Sequence, residues 1–182
     1  MKADPDLKAE TAFTLSLRDL KRTPGARTEF DFSAEFSQAV RTGLLALPKD
    51  RSVQVHGSLE SVGDGVLVTA QASVELDAQC ARCLSEFTCE VVTTISELFI
   101  YPEQASDYQA EDVCFIDDDQ IDLSGAVRDG LILEQPLIPL CRVDCEGLCT
   151  ICGVDRNADP DHNHDDSVDS RWLGLSQWGK MS

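Results

Sequence analysis

Apolar and polar residues alternate along much of the first half of the chain, with the period of two that half-buried β-strands show. The longest run covers residues 66–80, where every even position carries an apolar or small side chain. Residues 53–59 and 87–99 alternate in the same way, and the sequence GDG at 63–65 is typical of a tight hairpin turn. We therefore predict a meander of three antiparallel strands, in which the turn at 80–83 joins the second strand to the third.

The strand pattern is shorter elsewhere in the chain. Residues 13–17 and 30–36 each alternate apolar and polar side chains, and the sequence VCFID at 113–117 predicts one more short strand. The segment 37–50 fits a short helix and a loop equally well.

One segment has the period of a helix. Over residues 121–136, Leu123, Val127 and Leu131 lie on a single stripe, which predicts an amphipathic helix that ends before the proline at its last position. The sequence RWLGLSQW at 171–178 repeats apolar residues every three positions, as a short amphipathic helix does.

These elements predict an α+β fold. The chain has 182 residues, of which 42% are hydrophobic, so it can bury the core of an ordinary domain. We expect an antiparallel sheet that could curl towards a barrel, one main helix, and a Cys-rich, metal-binding C-terminal lobe. The sheet and the helix are assigned to residues 1–140, and the lobe with its acidic tail to residues 141–182.

The formal net charge of −18 is unevenly distributed along the chain. Residues 1–51 carry nine Lys and Arg against eight Asp and Glu, whereas residues 52–182 carry six against 25. Such a surface repels phosphate backbones and attracts basic partners, although the same charge could serve solubility alone. Direct contact with RNA would have to be local, and Lys21, Arg22 and Arg27 are the candidates for it.

The sequence shows no segment directed to a membrane. The first 30 residues lack the continuous apolar run of a signal peptide, and no stretch approaches the ~18 apolar residues of a membrane span. We therefore expect a cytoplasmic protein that does not associate with membranes. In that reducing compartment, eight cysteines of which six are clustered favour metal binding over disulfides.

The clustered cysteines have the spacing of zinc ligands. Zinc takes four tetrahedral ligands, and two cysteines separated by two residues can offer two of them from one tight turn. Such closed sites are structural, so we expect zinc as a structural cofactor. The candidate ligands are three cysteine pairs and two histidines: Cys80, Cys83, Cys141, Cys145, Cys149, Cys152, His162 and His164.

The sequence leaves the grouping of these ligands open. They could form two sites of four ligands, or one site with spare thiols. Cys145, Cys149 and Cys152 with one histidine would close a short local loop, whereas the pair at 80–83 needs the fold to deliver partners. The other two cysteines, Cys89 and Cys114, are predicted to be ordinary buried thiols on apolar strand faces.

Sequence signatures of common enzymes are absent. The chain contains no G-x-x-x-x-G-K-[ST], no G-x-G-x-x-G, no G-x-S-x-G and no H-E-x-x-H. We therefore expect no enzymatic activity.

Several motifs resemble those of the YceD family, whose members are described as large-subunit ribosomal RNA accumulation proteins. They are CARCL after the long strand, IDLSGAVRDGLILEQPLIPLC leading into CEGLCTICGVDRN, and the closing DSRW. The early stretch LRDLKRTPG resembles the actinobacterial-type branch, and the likeness spans residues 13–178. The most specific block is C-x-GLC-x2-CG-x3-N at 145–157. Many relatives carry C-x-C where this chain has His162-Asn163-His164, and other branches lack the downstream cysteines.

The resemblance implies a non-enzymatic ribosome biogenesis factor that supports accumulation of the large-subunit ribosomal RNA. It also implies a gene that often lies beside that of a small basic ribosomal protein. With the acidic charge, this favours a basic large-subunit ribosomal protein or a pre-ribosomal particle as the partner. The alternative is a zinc- or redox-sensing regulator that uses its cysteine pairs as a switch.

Overall fold

The computed structural model describes residues 11–107 and 113–164, which contain a large sheet, a small second sheet and a helix. Short 3-10 helices cover Thr11–Phe13 and Pro102–Asp107. The strands and the helix, in chain order, are β1 (Thr14–Ser16), β2 (Arg27–Glu35), β3 (Val40–Thr42), β4 (Leu45–Leu47), β5 (Ser52–Ser61), β6 (Gly65–Gln79), β7 (Glu86–Ile100), β8 (Cys114–Phe115), β9 (Gln120–Asp122) and α1 (Ser124–Leu133).

The predicted meander forms the centre of the large sheet. β6 pairs antiparallel with β5 and with β7, and β2 pairs antiparallel with β5. Along β6, even-numbered residues such as Val68 and Val74 are buried, whereas Thr69 and Gln71 on the opposite face are exposed. The three predicted strands are therefore confirmed, and so is the face of β6 that meets the core.

The segment 37–50 is neither a helix nor a loop, so that prediction is wrong. It forms the hairpin β3–β4, in which β4 pairs with the end of β6 and places Leu45 opposite Ala78. Among the described strands the sheet is open. One edge strand, β2, pairs only with β5, and the strand β8 on the opposite edge pairs only with β7, in parallel, so the two edges do not meet. It does not close into the barrel that the sequence left possible.

The helix packs on the apolar face of the sheet. Leu123, Val127 and Leu131 are all buried, which confirms the predicted stripe. Gly130 allows a close approach to β7, since a Cβ at this position would lie 2.7 Å from the Thr93 hydroxyl oxygen. The small sheet of β1 and β9 adds Ile121 to the same core.

Two predicted strands are shorter in the structure than in the sequence analysis, and one predicted helix lies outside the described residues. The first predicted strand begins as a 3-10 helix and continues as β1, and the strand predicted over 113–117 is reduced to β8. The helix predicted at 171–178 lies outside the described residues. Within those residues, no helix combines the length and the apolar character needed to cross a membrane. The proposed division at residue 140 stays a prediction.

Candidate metal centres

Four cysteines from two distant parts of the chain meet beside the turn between β6 and β7. Cys80 and Cys83 lie in this turn, and Cys141 and Cys145 follow helix α1. The Sγ atoms of Cys80 and Cys145 are 3.8 Å apart, those of Cys83 and Cys141 are 3.6 Å apart, and all four lie within 4.8 Å of one another. Four thiolates bound at about 2.3 Å to one zinc ion would be about 3.8 Å apart. This four-thiol group therefore has the dimensions of a tetrahedral metal site.

A second group combines two cysteines with two histidines. Cys149, Cys152, His162 and His164 offer ligand atoms that also lie within 4.8 Å of one another. The Nε2 atoms of the two histidines are 2.9 Å apart, and they lie 3.1 Å and 3.2 Å from Cys152 Sγ. Each Nε2 carries either a proton or a lone pair, so hydrogen bonds cannot satisfy all three sides of this triangle at once. Lone pairs converging on one cation fit the arrangement of this mixed group better.

The two C-x2-C turns have the same hydrogen bond and the same left-handed position. In the first turn, the N–H of Leu84 donates to the carbonyl of Cys80 at 3.0 Å; in the second, the N–H of Gly153 donates to the carbonyl of Cys149 at 2.8 Å. Leu84 and Gly153 both take positive φ angles, of 63° and 77°. Glycine adopts this left-handed conformation readily, whereas leucine does so at a cost of about 1–2 kcal/mol.

Backbone contacts attach the second C-x2-C turn and its flanking residues to the first turn. The carbonyl of Arg82 accepts the N–H of Leu148 at 3.0 Å, and the Arg82 guanidinium donates to the carbonyl of Cys145 at 2.8 Å. Gly147 lies against Arg82, and a Cβ at Gly147 would meet the Arg82 carbonyl oxygen at 3.0 Å. The CARC turn, residues 80–83, therefore supplies two thiols and also binds the segment that carries the other candidate ligands.

The environment of the thiols favours thiolates at two positions. Burial acts to raise the pKa of Cys80, but backbone N–H groups of Cys141, Cys83 and Arg82 outweigh it and lower that pKa to about 6. Backbone N–H groups of Cys152 and Ile151 lower the pKa of Cys149 to about 6. Thiolates are the form that metal ions bind.

Crowding of thiols has the opposite effect on one member of the four-thiol group. A hydrogen bond with Ser85 acts to lower the pKa of Cys141, but burial and the neighbouring thiols of Cys83, Cys80 and Cys145 raise it to about 11. Four thiols this close cannot all ionise without a compensating cation, and a divalent ion would supply that charge.

The model of the family described as "Large ribosomal RNA subunit accumulation protein YceD" matches residues 68–177. The chain belongs to the YceD family. The matched range contains all eight candidate ligands, and its family description names an accumulation protein and not an enzyme.

Curated relatives of this YceD family member are uncharacterized proteins. One from Mycobacterium tuberculosis is 36% identical over 164 residues, which cover 89% of this chain and 79% of that protein. One from Mycobacterium leprae is 31% identical over 159 residues, covering 86% and 73% of the two chains. The protein YlbN of Bacillus subtilis is 24% identical over 163 residues, covering 89% and 94%. No solved structure matches the chain.

The structure brings together all eight candidate ligands that the sequence singled out, four in each group. It does not join Cys145 to the pair at 149–152, which was the local grouping that the sequence left open. His162 has a further neighbour, because its Nδ1 lies 3.8 Å from Asp159 Oδ2. A carboxylate behind a metal-bound imidazole is a common outer partner in zinc sites.

The remaining candidates lie away from both groups. Lys21 and Arg27 are exposed, and Arg22 pairs with Asp119 at 2.8 Å while its guanidinium lies 4.4 Å from the centre of the Tyr101 ring.

The prediction that both isolated cysteines are buried is wrong for Cys114. This residue is exposed because β8 is only two residues long and lies at the sheet edge. Cys89 is half-buried and packs against the core.

The sequence did not reveal that Arg82 binds the segment around Cys145 and Leu148, or that Asp159 lies behind His162. Both contacts form only in the folded chain.

Proposed function

We propose that this YceD family member is a non-enzymatic, cytoplasmic ribosome biogenesis factor that supports accumulation of the large-subunit ribosomal RNA. The observation that carries the proposal is the family match over residues 68–177, whose description names this role. Depletion of the protein from growing cells tests it. We expect large-subunit ribosomal RNA to fall relative to small-subunit ribosomal RNA, and an unchanged ratio would contradict the proposal.

We infer that each group holds one structural zinc ion. Each offers four thiolate or imidazole ligands, which fill the tetrahedral coordination of zinc and leave no position for a reacting water. The alternative role, a zinc- or redox-sensing switch, makes a different prediction under mild oxidation. A sensor would release zinc and change partner while still folded, whereas a structural site keeps its metal until the lobe unfolds.

We propose that the partner is a basic large-subunit ribosomal protein. The outer face of the sheet supports this, because Glu75 and Glu90 lie directly opposite each other on β6 and β7 and both are exposed. Like charges in this position destabilise a sheet. Arg51 reaches Glu75 at 3.2 Å and Asp77 at 2.8 Å, but it is one cation among more numerous carboxylates. A cationic protein would be attracted to this face, with an association rate that falls as salt rises.

Direct contact with RNA through Lys21, Arg22 and Arg27 is the competing mode. It is less favoured, because a phosphate would have to displace Asp119 from Arg22. The net charge of −18 also repels RNA over the Debye length of ~8 Å at physiological salt.

A binding series separates the two modes. Purified protein is titrated with naked ribosomal RNA and, separately, with basic large-subunit proteins at increasing salt. We expect salt-sensitive binding to a basic protein that weakens in the double variant Glu75→Gln/Glu90→Gln. The control Glu103→Gln/Glu134→Gln removes the same charge from exposed residues outside β6 and β7, and it should retain binding. Tight RNA binding that is lost on neutralising Lys21, Arg22 and Arg27, with no affinity for any basic protein, would overturn the proposed partner.

A further inference from the structure

Asn157 lies between the two groups, and both the oxygen and the nitrogen of its side-chain amide form hydrogen bonds. Its Oδ1 accepts the N–H of Glu146 at 2.8 Å and the guanidinium of Arg142 at 2.6 Å. Its Nδ2 donates to Asp155 Oδ1 at 2.6 Å and to Cys145 Sγ at 3.6 Å. A primary amide offers two N–H donors and two acceptor lone pairs, so all four are engaged. These partners fix which end of the amide faces the sulfur.

The backbone that carries Asn157 belongs to the turn of the mixed group. The N–H of Cys149 donates to the carbonyl of Val154 at 2.8 Å, and the N–H of Arg156 donates to the carbonyl of Gly147 at 3.0 Å. This short ribbon encloses the second C-x2-C pair and ends at Asn157. The position of its side chain therefore depends on the mixed group, while its Nδ2 points at a thiol of the four-thiol group.

We propose that Asn157 is a positioning residue that couples the two metal groups by donating an N–H to the Cys145 thiolate from the ribbon that the mixed group holds. The inference rests on the proposed zinc sites. A hydrogen bond from an amide stabilises a metal-bound thiolate and fixes its orientation, and loss of such an outer partner typically costs 10–100-fold in metal affinity. If the mixed group is emptied, the ribbon loosens and the four-thiol group loses this donor.

Cobalt(II) reports on each group separately. A four-thiolate site and a site of two thiolates and two imidazoles differ in ligand-field bands, and the sulfur-to-cobalt charge-transfer band responds to hydrogen bonds at sulfur. Full-length protein freed of metal is titrated with Co²⁺ as wild type, Asn157→Asp, Asn157→Ala and Arg156→Ala. The last variant is the control, because its exposed side chain neighbours Asn157 in sequence and only approaches Glu146 at 3.7 Å. Asn157→Ala introduces no charge, so it separates loss of the donor from repulsion by a new carboxylate.

We expect both Asn157 variants to bind Co²⁺ about tenfold or more weakly at the four-thiol group, with its charge-transfer band shifted to lower energy. The mixed group should change far less, and Arg156→Ala should match the wild type. Cys152→Ser, which disables the mixed group, should also weaken the four-thiol group. The double variant Cys152→Ser/Asn157→Ala should then be less impaired than the two separate effects added together.

Two negative results have different meanings. Wild-type affinity and spectrum at the four-thiol group in both Asn157 variants, or strict additivity with Cys152→Ser, would overturn the coupling and leave the metal sites in place. A wild-type protein that binds no Co²⁺ at all would overturn the metal assignment as well.

Discussion

The sheet differs from the described part of the predicted lobe, residues 141–164, in how much apolar surface it buries. The inner face of β6 buries a row of apolar side chains, including Val68, which is fully inaccessible to solvent. Within residues 141–164, all of which the structure describes, only Cys145 and Gly147 are buried, and Val143 is 93% exposed. Burying an aliphatic side chain contributes about 1.5–3 kcal/mol, so the lobe gains almost nothing from this source. We therefore expect its fold to depend on metal bound by its thiols and imidazoles, together with its backbone hydrogen bonds.

The two candidate metal groups also differ in the length of chain that a bound ion would close. The four-thiol group joins residues that are 65 and 58 positions apart in sequence, whereas the mixed group lies wholly within residues 149–164. A cross-link that closes a long loop removes more entropy from the unfolded chain than one that closes a short loop. The four-thiol group should therefore stabilise the whole molecule, and the mixed group mainly its own part of the lobe, with a smaller effect on the four-thiol group through Asn157.

The largest effect should come from the core of the sheet. Val68→Asp places an unpaired carboxylate on the buried face of β6 and should cost about 3 kcal/mol or more, enough to unfold much of the protein. Thr69→Asp is the matched control, because the side chain of Thr69 is exposed on the opposite face. Thermal unfolding followed by circular dichroism measures both variants, and equal shifts would contradict the assigned faces of β6.

Loss of a ligand in the four-thiol group should rank next. Cys145→Ser removes one of the four candidate ligands that join the lobe to the turn at 80–83, and it should cost about 2–4 kcal/mol, as loss of a covalent cross-link of this span does. The same experiment on protein treated with a chelator provides the control, since the variant should then differ little from the wild type. An equal loss with and without chelator would show that packing of Cys145, and not metal, is what matters.

Cys149→Ser should have a smaller and more local effect. The mixed group holds only residues 149–164, so the lobe should open first. The main unfolding transition should shift by no more than about 1.4 kcal/mol, which corresponds to a tenfold loss of metal affinity at the four-thiol group. Limited proteolysis followed by mass spectrometry should show early cleavage within the lobe and an intact sheet. Cooperative loss of sheet and lobe together would mean that the two regions are not separable.

Substitutions of the left-handed residues in the two C-x2-C turns should change the free energy of unfolding least. Leu84→Gly relieves the left-handed strain at an exposed side chain and should stabilise the protein by up to about 1 kcal/mol. Gly153→Ala imposes that strain on the second turn and should destabilise the lobe by a similar amount. Chemical unfolding curves compare the two variants with wild type. A destabilising Leu84→Gly would show that the leucine side chain contributes more than its backbone strain removes.

The sequence predicted those elements whose pattern reflects one buried face. β6 alternates because one side meets the core, and Leu123, Val127 and Leu131 recur because helix α1 buries one stripe. The strands β3 and β4 could not be predicted in this way. Each has three residues, and β4 is held by pairing with the end of β6, which is a tertiary contact.

The candidate ligands could be identified from spacing, but their grouping could not. Local spacing made Cys145 a natural companion of Cys149, whereas the fold turns Cys145 towards Cys80. Two hydrogen bonds to Arg82, from the N–H of Leu148 and to the carbonyl of Cys145, hold the chain in the position that brings Cys145 to Cys80. No local pattern records such a contact.

Native mass spectrometry of the full-length protein, purified without chelators from cells grown with zinc, counts the metal ions that the two groups hold. We expect a mass that exceeds the bare chain by two zinc ions, less the protons they displace, and a loss of both ions on acid unfolding. A Cys149→Ser variant should retain one zinc ion, in the four-thiol group. A folded wild-type protein that carries no metal, or a lobe that resists proteolysis equally after both ions are removed, would contradict the assignment of a structural zinc ion to each group.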